Sequence, residues 1–86
     1  MALTSLRIDK LLWHLRLTKS RGLAQALIAT GHVRLNGKRV EKSSVEVRSG
    51  DSVTIPAGEG AFAFQLLTVP ARRGPPAEAL ACYREI

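Results

Sequence analysis

Residues 7–40 read RIDKLLWHLRLTKSRGLAQALIATGHVRLNGKRV, and along them the apolar period changes from 3.6 to 2. Ile8, Leu11, Leu12 and Leu15 recur at helical offsets and put their side chains on one face. Leu17-Thr18-Lys19 is a short connection and Ser20 is suited to cap a second helix, RGLAQALIAT. Leu23, Ala24, Leu27 and Ile28 form the apolar stripe of that helix, and Gly31 closes it as a left-handed residue. Val33 and Leu35 then alternate with His32 and Arg34 up to Asn36-Gly37, a pair that favours the two-residue type I′ hairpin turn. Helices joined by so few residues lie against each other, and a hairpin starts where the second one stops.

Beyond this stretch the alternation continues through Val45 and Val47, and Ser49-Gly50-Asp51 makes a turn. Val53 and Ile55 supply the inner face of another strand, Pro56 to Gly60 read as a loop, and Phe62, Phe64 and Leu66 supply the next strand. Pro75-Pro76 open a short terminal helix, which docks on the body through Leu80 and Tyr83 or else frays, and Trp13 is expected to lie beneath it, with stacking on RNA as the alternative. The fold class is α+β: two N-terminal helices packed on a small antiparallel sheet of four to five strands, with a short C-terminal helix. With 86 residues, one domain over 1–86 is the expectation.

The hairpin register raises a question about charge. If Asn36 and Gly37 are the loop, Arg34 faces Arg39 directly, and like charges at such a pair are destabilising. The wider distribution suggests why this is tolerated. Ten Lys and Arg stand against three acids between Arg7 and Arg48, whereas the rest of the chain has three against four. The whole excess of positive charge is in the first half, which points to an anionic partner, nucleic acid first. On the helical wheel Arg7, Lys10 and His14 fall within an arc of about 60° away from the leucine stripe. Lys19, Ser20 and Arg21 stand at the start of the second helix, where free N–H groups suit a phosphate. Arg34, Lys38, Arg39 and Lys42 belong to the hairpin and its exit. Aromatic residues are 5% of the chain, and only Trp13 lies among these cations, so phosphates and RNA shape are read ahead of stacked bases.

No Gly-rich phosphate loop, carboxylate pair or Ser-His-Asp signature is present, and His14, His32 and Cys82 match no zinc spacing. A non-enzyme without metal or cofactor and without a small-molecule substrate is expected. No apolar run reaches membrane-spanning length, MALTSLRIDK lacks the apolar core of a secretory signal, and a single cysteine cannot form an internal disulfide. These readings favour a cytoplasmic protein with no membrane partner.

Arg7-Ile8-Asp9, Lys19-Ser20-Arg21 with Ala24, Ile28 and Gly31, and then Val33, Leu35-Asn36-Gly37, Val40, Ser44, Val47 and Gly50-Asp51 together resemble the RNA-binding S4 domain. The resemblance implies a core motif over 7–55 and a C-terminal extension over 70–86. It also implies RNA held along both helices and the hairpin. Trp13, Arg72-Arg73, Pro76 to Ala79 and Tyr83 extend it to the fifteen-kilodalton heat-shock family of bacteria. That family implies ribosomal or transfer RNA as partner, association with the large ribosomal subunit and a role in recycling it. The family also carries a longer basic tail than follows Tyr83 here, so RNA binding is the firmer expectation and recycling the narrower one. Two other readings stand beside it: a DNA-binding helix-turn-helix module, and an adaptor for an acidic protein. The second helix offers mostly Ala, Leu and Ile, which is poor equipment for reading bases.

Overall fold

The structure, a computed structural model, describes residues 4–86. Its elements in chain order are β1 (Ser5–Arg7), α1 (Ile8–His14), α2 (Arg21–Ala29), β2 (Arg34–Leu35), β3 (Lys38–Arg39), β4 (Glu46–Arg48), β5 (Ser52–Ala57), β6 (Gly60–Leu66), α3 (Pro76–Ala81) and β7 (Tyr83–Glu85). Five strands form one antiparallel sheet in the order β3-β2-β5-β6-β7, and β1 and β4 pair as a separate two-stranded ribbon. The α+β class is as the periodicity indicated. The core is the stripe Ile8, Leu11, Leu12 and Leu15 of α1, Ala24 and Ile28 of α2, and Val33, Val40, Val47, Val53, Ile55, Phe64 and Leu66 beneath them.

α1 is shorter than the apolar spacing suggested. At its end Arg16 takes φ 62°, the Leu17 N–H donates to the Leu12 carbonyl (3.0 Å) and the Arg16 N–H to the Trp13 carbonyl (3.0 Å). This is a Schellman stop with arginine where glycine is usual. Its side chain offsets the strain, since Arg16 Nε donates to the Gly74 carbonyl at 2.7 Å. α2 follows its expected limits: Ser20 Oγ accepts the Leu23 N–H (3.0 Å), and Gly31 has φ 81°.

Four details differ from the sequence reading. Val47 lies in β4, which pairs with β1 rather than with the hairpin, and Val45 stops short of any strand. The stretch from Pro56 to Gly60 is not a loop, because β5 and β6 pair as far as Ala57 and Gly60. Pro56 is tolerated because β2 reaches only Val53 and Thr54, leaving that side of β5 unpaired. Tyr83 begins β7 instead of lying on α3, and packs on Phe62 and Phe64, while Leu80 is 64% exposed. Trp13 is therefore not covered by Leu80 and Tyr83. Arg73 covers it, with Cζ 5.8 Å from the ring centroid and Nε donating to the Trp13 carbonyl at 3.1 Å.

Candidate nucleic-acid interface

The centre of the N-terminal surface is a carboxylate that neither charge counting nor the helical wheel singled out. Asp9, in the first turn of α1, has no exposed surface. Its oxygens accept from Arg7 Nε (3.1 Å) and Nη2 (3.0 Å), Arg21 Nε (3.2 Å), Gln25 Nε2 (2.9 Å) and the Lys10 N–H (2.7 Å). Burial works to raise the acid's pKa, but the hydrogen bonds from Gln25, Arg7, Arg21 and the Lys10 backbone outweigh it and hold it at about 2. One anion thus fixes two guanidinium groups side by side. Arg7 and Arg21 keep 42% and 39% of their side-chain surface in solvent, so both remain open to an anion.

α1 starts without a side-chain cap, and its first N–H groups go instead to the segment that follows the hairpin. The Ile8 N–H donates to the Val45 carbonyl (2.8 Å) and the Asp9 N–H to the Ser43 carbonyl (3.4 Å). These bonds tie the start of α1 to the segment that follows Lys42. Across the turn Arg34 pairs with Arg39 and Leu35 with Lys38, as the two-residue loop requires. Asn36 (φ 50°) and Gly37 (φ 84°) supply the left-handed backbone. The Asn36 side chain is engaged at both ends: Nδ2 donates to Asp51 (3.1 Å), and Oδ1 accepts the Ser52 N–H (2.9 Å). The hairpin is thereby pinned to β5, with Arg34, Lys38, Arg39 and Lys42 exposed.

Of the residues expected on this surface, Arg7, Lys10, Lys19, Arg21, Arg34, Lys38, Arg39 and Lys42 reach solvent, and Ser20 holds the start of α2 as its cap. His14 does not lie on it. It is 5% exposed, because residues 70–74 cross over the end of α1 and cover the face that the wheel left to water. Its Nδ1 makes no hydrogen bond. Burial pushes its pKa down, the Pro70 backbone opposes, and Lys10, Arg21 and Arg73 add to the lowering, so the ring is neutral near pH 7. Among the described residues no group of three His, Cys, Asp or Glu is placed to hold a metal ion.

The structure thus defines a class: a small α+β module whose two helices and hairpin each carry solvent-reaching cations. Residues 6–53 match the S4 domain family, and the chain belongs to it. The small ribosomal subunit protein uS4 of Opitutus terrae is 34% identical over 55 residues, which are 64% of this chain and 27% of that protein. The chain spans about a quarter of the length of that relative. Heat Shock Protein 15 of Vibrio cholerae, solved as a trimer, superposes with a TM-score of 0.88 at 33% identity, over 95% of this chain and 82% of its own. The hypothetical protein HP1423, solved in solution, superposes at 0.80 with 32% identity, over 94% and 96%.

Proposed function

We propose that the protein binds structured RNA, ribosomal RNA first, without catalysis. The contacts run through Arg7, Lys10, Lys19, Arg21, Arg34, Lys38, Arg39 and Lys42. The observation that supports this reading is the junction of Ile8 and Asp9 with Ser43 and Val45, which ties the start of α1, with its Asp9-held arginines, to the segment that follows the cationic hairpin. Likeness to the ribosomal protein uS4 supports the ribosome as the setting, and the narrower reading, a part in recycling the large subunit, rests on the resemblance of Trp13, Arg72-Arg73, Pro76 to Ala79 and Tyr83 to the heat-shock family. Duplex DNA is disfavoured: α2 turns Leu23, Ala26 and Ala29 outward, and its one amide, Gln25, is bound to Asp9. Among the described residues no helix is long and apolar enough to cross a membrane.

Affinity for an RNA stem-loop should fall steeply with salt, by about 0.7–0.9 in log–log slope for each phosphate neutralised. Replacing both Arg21 and Arg39 with Ala should weaken binding at least tenfold and reduce the slope by about 1.5, with the fold retained by circular dichroism. A double variant with unchanged affinity would exclude this surface. Sedimentation with separated ribosomal subunits tests the narrower reading, and a protein that stays out of the large-subunit fraction would remove it.

A further inference from the structure

We propose that the depression formed by the hairpin and Val45 seats one unstacked nucleobase, so that the protein prefers RNA with an unpaired nucleotide. This rests on the RNA-binding reading and narrows it. The depression is about 330 Å³ and is lined by Leu35, Asn36, Lys38, Arg39, Val40 and Val45. Val40 is buried and Leu35 and Val45 are half-buried, so the floor is apolar, while Lys38 and Arg39 stand exposed on the rim. Asn36 adds no free polar group, since Asp51 and Ser52 occupy both ends of its amide.

Such a floor is a poor site for a phosphate or a ribose hydroxyl, which would lose water and find no partner. It suits the apolar face of a base. The position supports the same occupant. Val45 lies on the floor, and its carbonyl receives the Ile8 N–H one residue from Asp9. Lys38 and Arg39 thus stand on its rim, and the bond from Ile8 ties Val45 to the start of α1, where Asp9 holds Arg7 and Arg21. A backbone held by its phosphates at Lys38 and Arg39 can turn one base into the apolar floor beside them. A base stacked inside a helix cannot turn into the floor, whereas a bulged or loop base can, which is the usual way a protein distinguishes RNA sites.

The test uses the full chain and two RNA hairpins that differ only at one nucleotide, 2-aminopurine, left as a single-base bulge in one and paired in the other. Anisotropy should show the bulged RNA bound about tenfold tighter, roughly 1.4 kcal/mol, and the 2-aminopurine emission should change on binding only in the bulged RNA. Val45→Met, which fills the depression with a flexible apolar chain, should abolish the preference and the emission change while leaving the salt dependence intact. Equal affinity for both RNAs, with steep salt dependence and no emission change in the unmodified protein, would overturn the seat and leave RNA binding standing. No binding to either RNA would overturn the parent reading and the seat with it. The emission measured on the unmodified protein decides the matter even if Val45→Met folds poorly.

Discussion

Asp9 is the one carboxylate buried among the described residues, and its surroundings make it an anchor for cations rather than a charge that cancels them. A buried anion is costly unless it is paired and fully hydrogen-bonded, and this one receives five donor groups from β1, α1 and α2. Arg7 and Arg21 gain fixed positions from it, and fixed cations lose less side-chain freedom when a phosphate arrives. Asp9→Asn preserves shape and an acceptor for the Lys10 N–H but leaves two guanidinium groups without their counter-charge. A carboxylate held at about 2 instead of 3.8 adds on the order of 2 kcal/mol to stability at neutral pH, and the substitution should lower stability in urea at pH 7 by a similar amount. A loss under about 0.5 kcal/mol, the size of an ordinary exposed ion pair, would mean that Asp9 does not organise this surface.

The β2–β3 hairpin shows the same economy of charge without the anchor. Arg34 and Arg39 face each other in solvent, and the side-chain hydrogen bond from Arg34 Nη1 to the Gly37 carbonyl is long at 3.4 Å. Arg39→Ala should leave the melting temperature unchanged or slightly raised, with a gain no larger than about 0.5 kcal/mol, while weakening RNA binding several-fold. A clear loss of stability would contradict the role given to this pair. This hairpin and the two helices were readable because their signals are local: a 3.6-residue stripe, a Ser cap, a closing glycine and an Asn-Gly turn. β1 and β7 were not, since each has three residues and owes its existence to a distant partner, Ser5 to Arg48 and Tyr83 to Leu66. The Asp9 cluster escaped for the same reason, its donors Arg21 and Gln25 lying on another helix. His14 was misplaced because a wheel describes one helix alone and cannot register that a segment some sixty residues later covers its polar side.

At the scale of the whole molecule, residues 70–74 tie the C-terminal part to the end of α1. Arg16 Nε donates to the Gly74 carbonyl, Arg73 Nε to the Trp13 carbonyl, and neutral His14 is enclosed between them. Lys10, Arg21 and Arg73 lie near the ring, and Arg72, Glu78 and Cys82 line the same cavity, so a charged imidazole would meet mostly cations there. The shifts of four groups then set a stability profile. His14 is lowered from 6.5, so the unfolded chain takes up its proton first and stability falls as pH drops below about 6.5. Asp9 is also lowered, and its contribution is lost later, as pH falls from about 3.8 toward 2. Burial, with Glu78 beside Cys82 and Glu85 beside Tyr83, raises the thiol and the phenol above 9.0 and 10.0, so stability falls again on the alkaline side once the unfolded chain ionises them. Urea midpoints measured across pH should show a plateau from about 6.5 to about 9 and two separate acid steps. His14→Gln, which keeps a polar side chain without a titrating charge, should remove the first acid step and leave the second. A variant that still loses stability between pH 6.5 and 5 to the same extent would place that sensitivity outside the contact between α1 and residues 70–74.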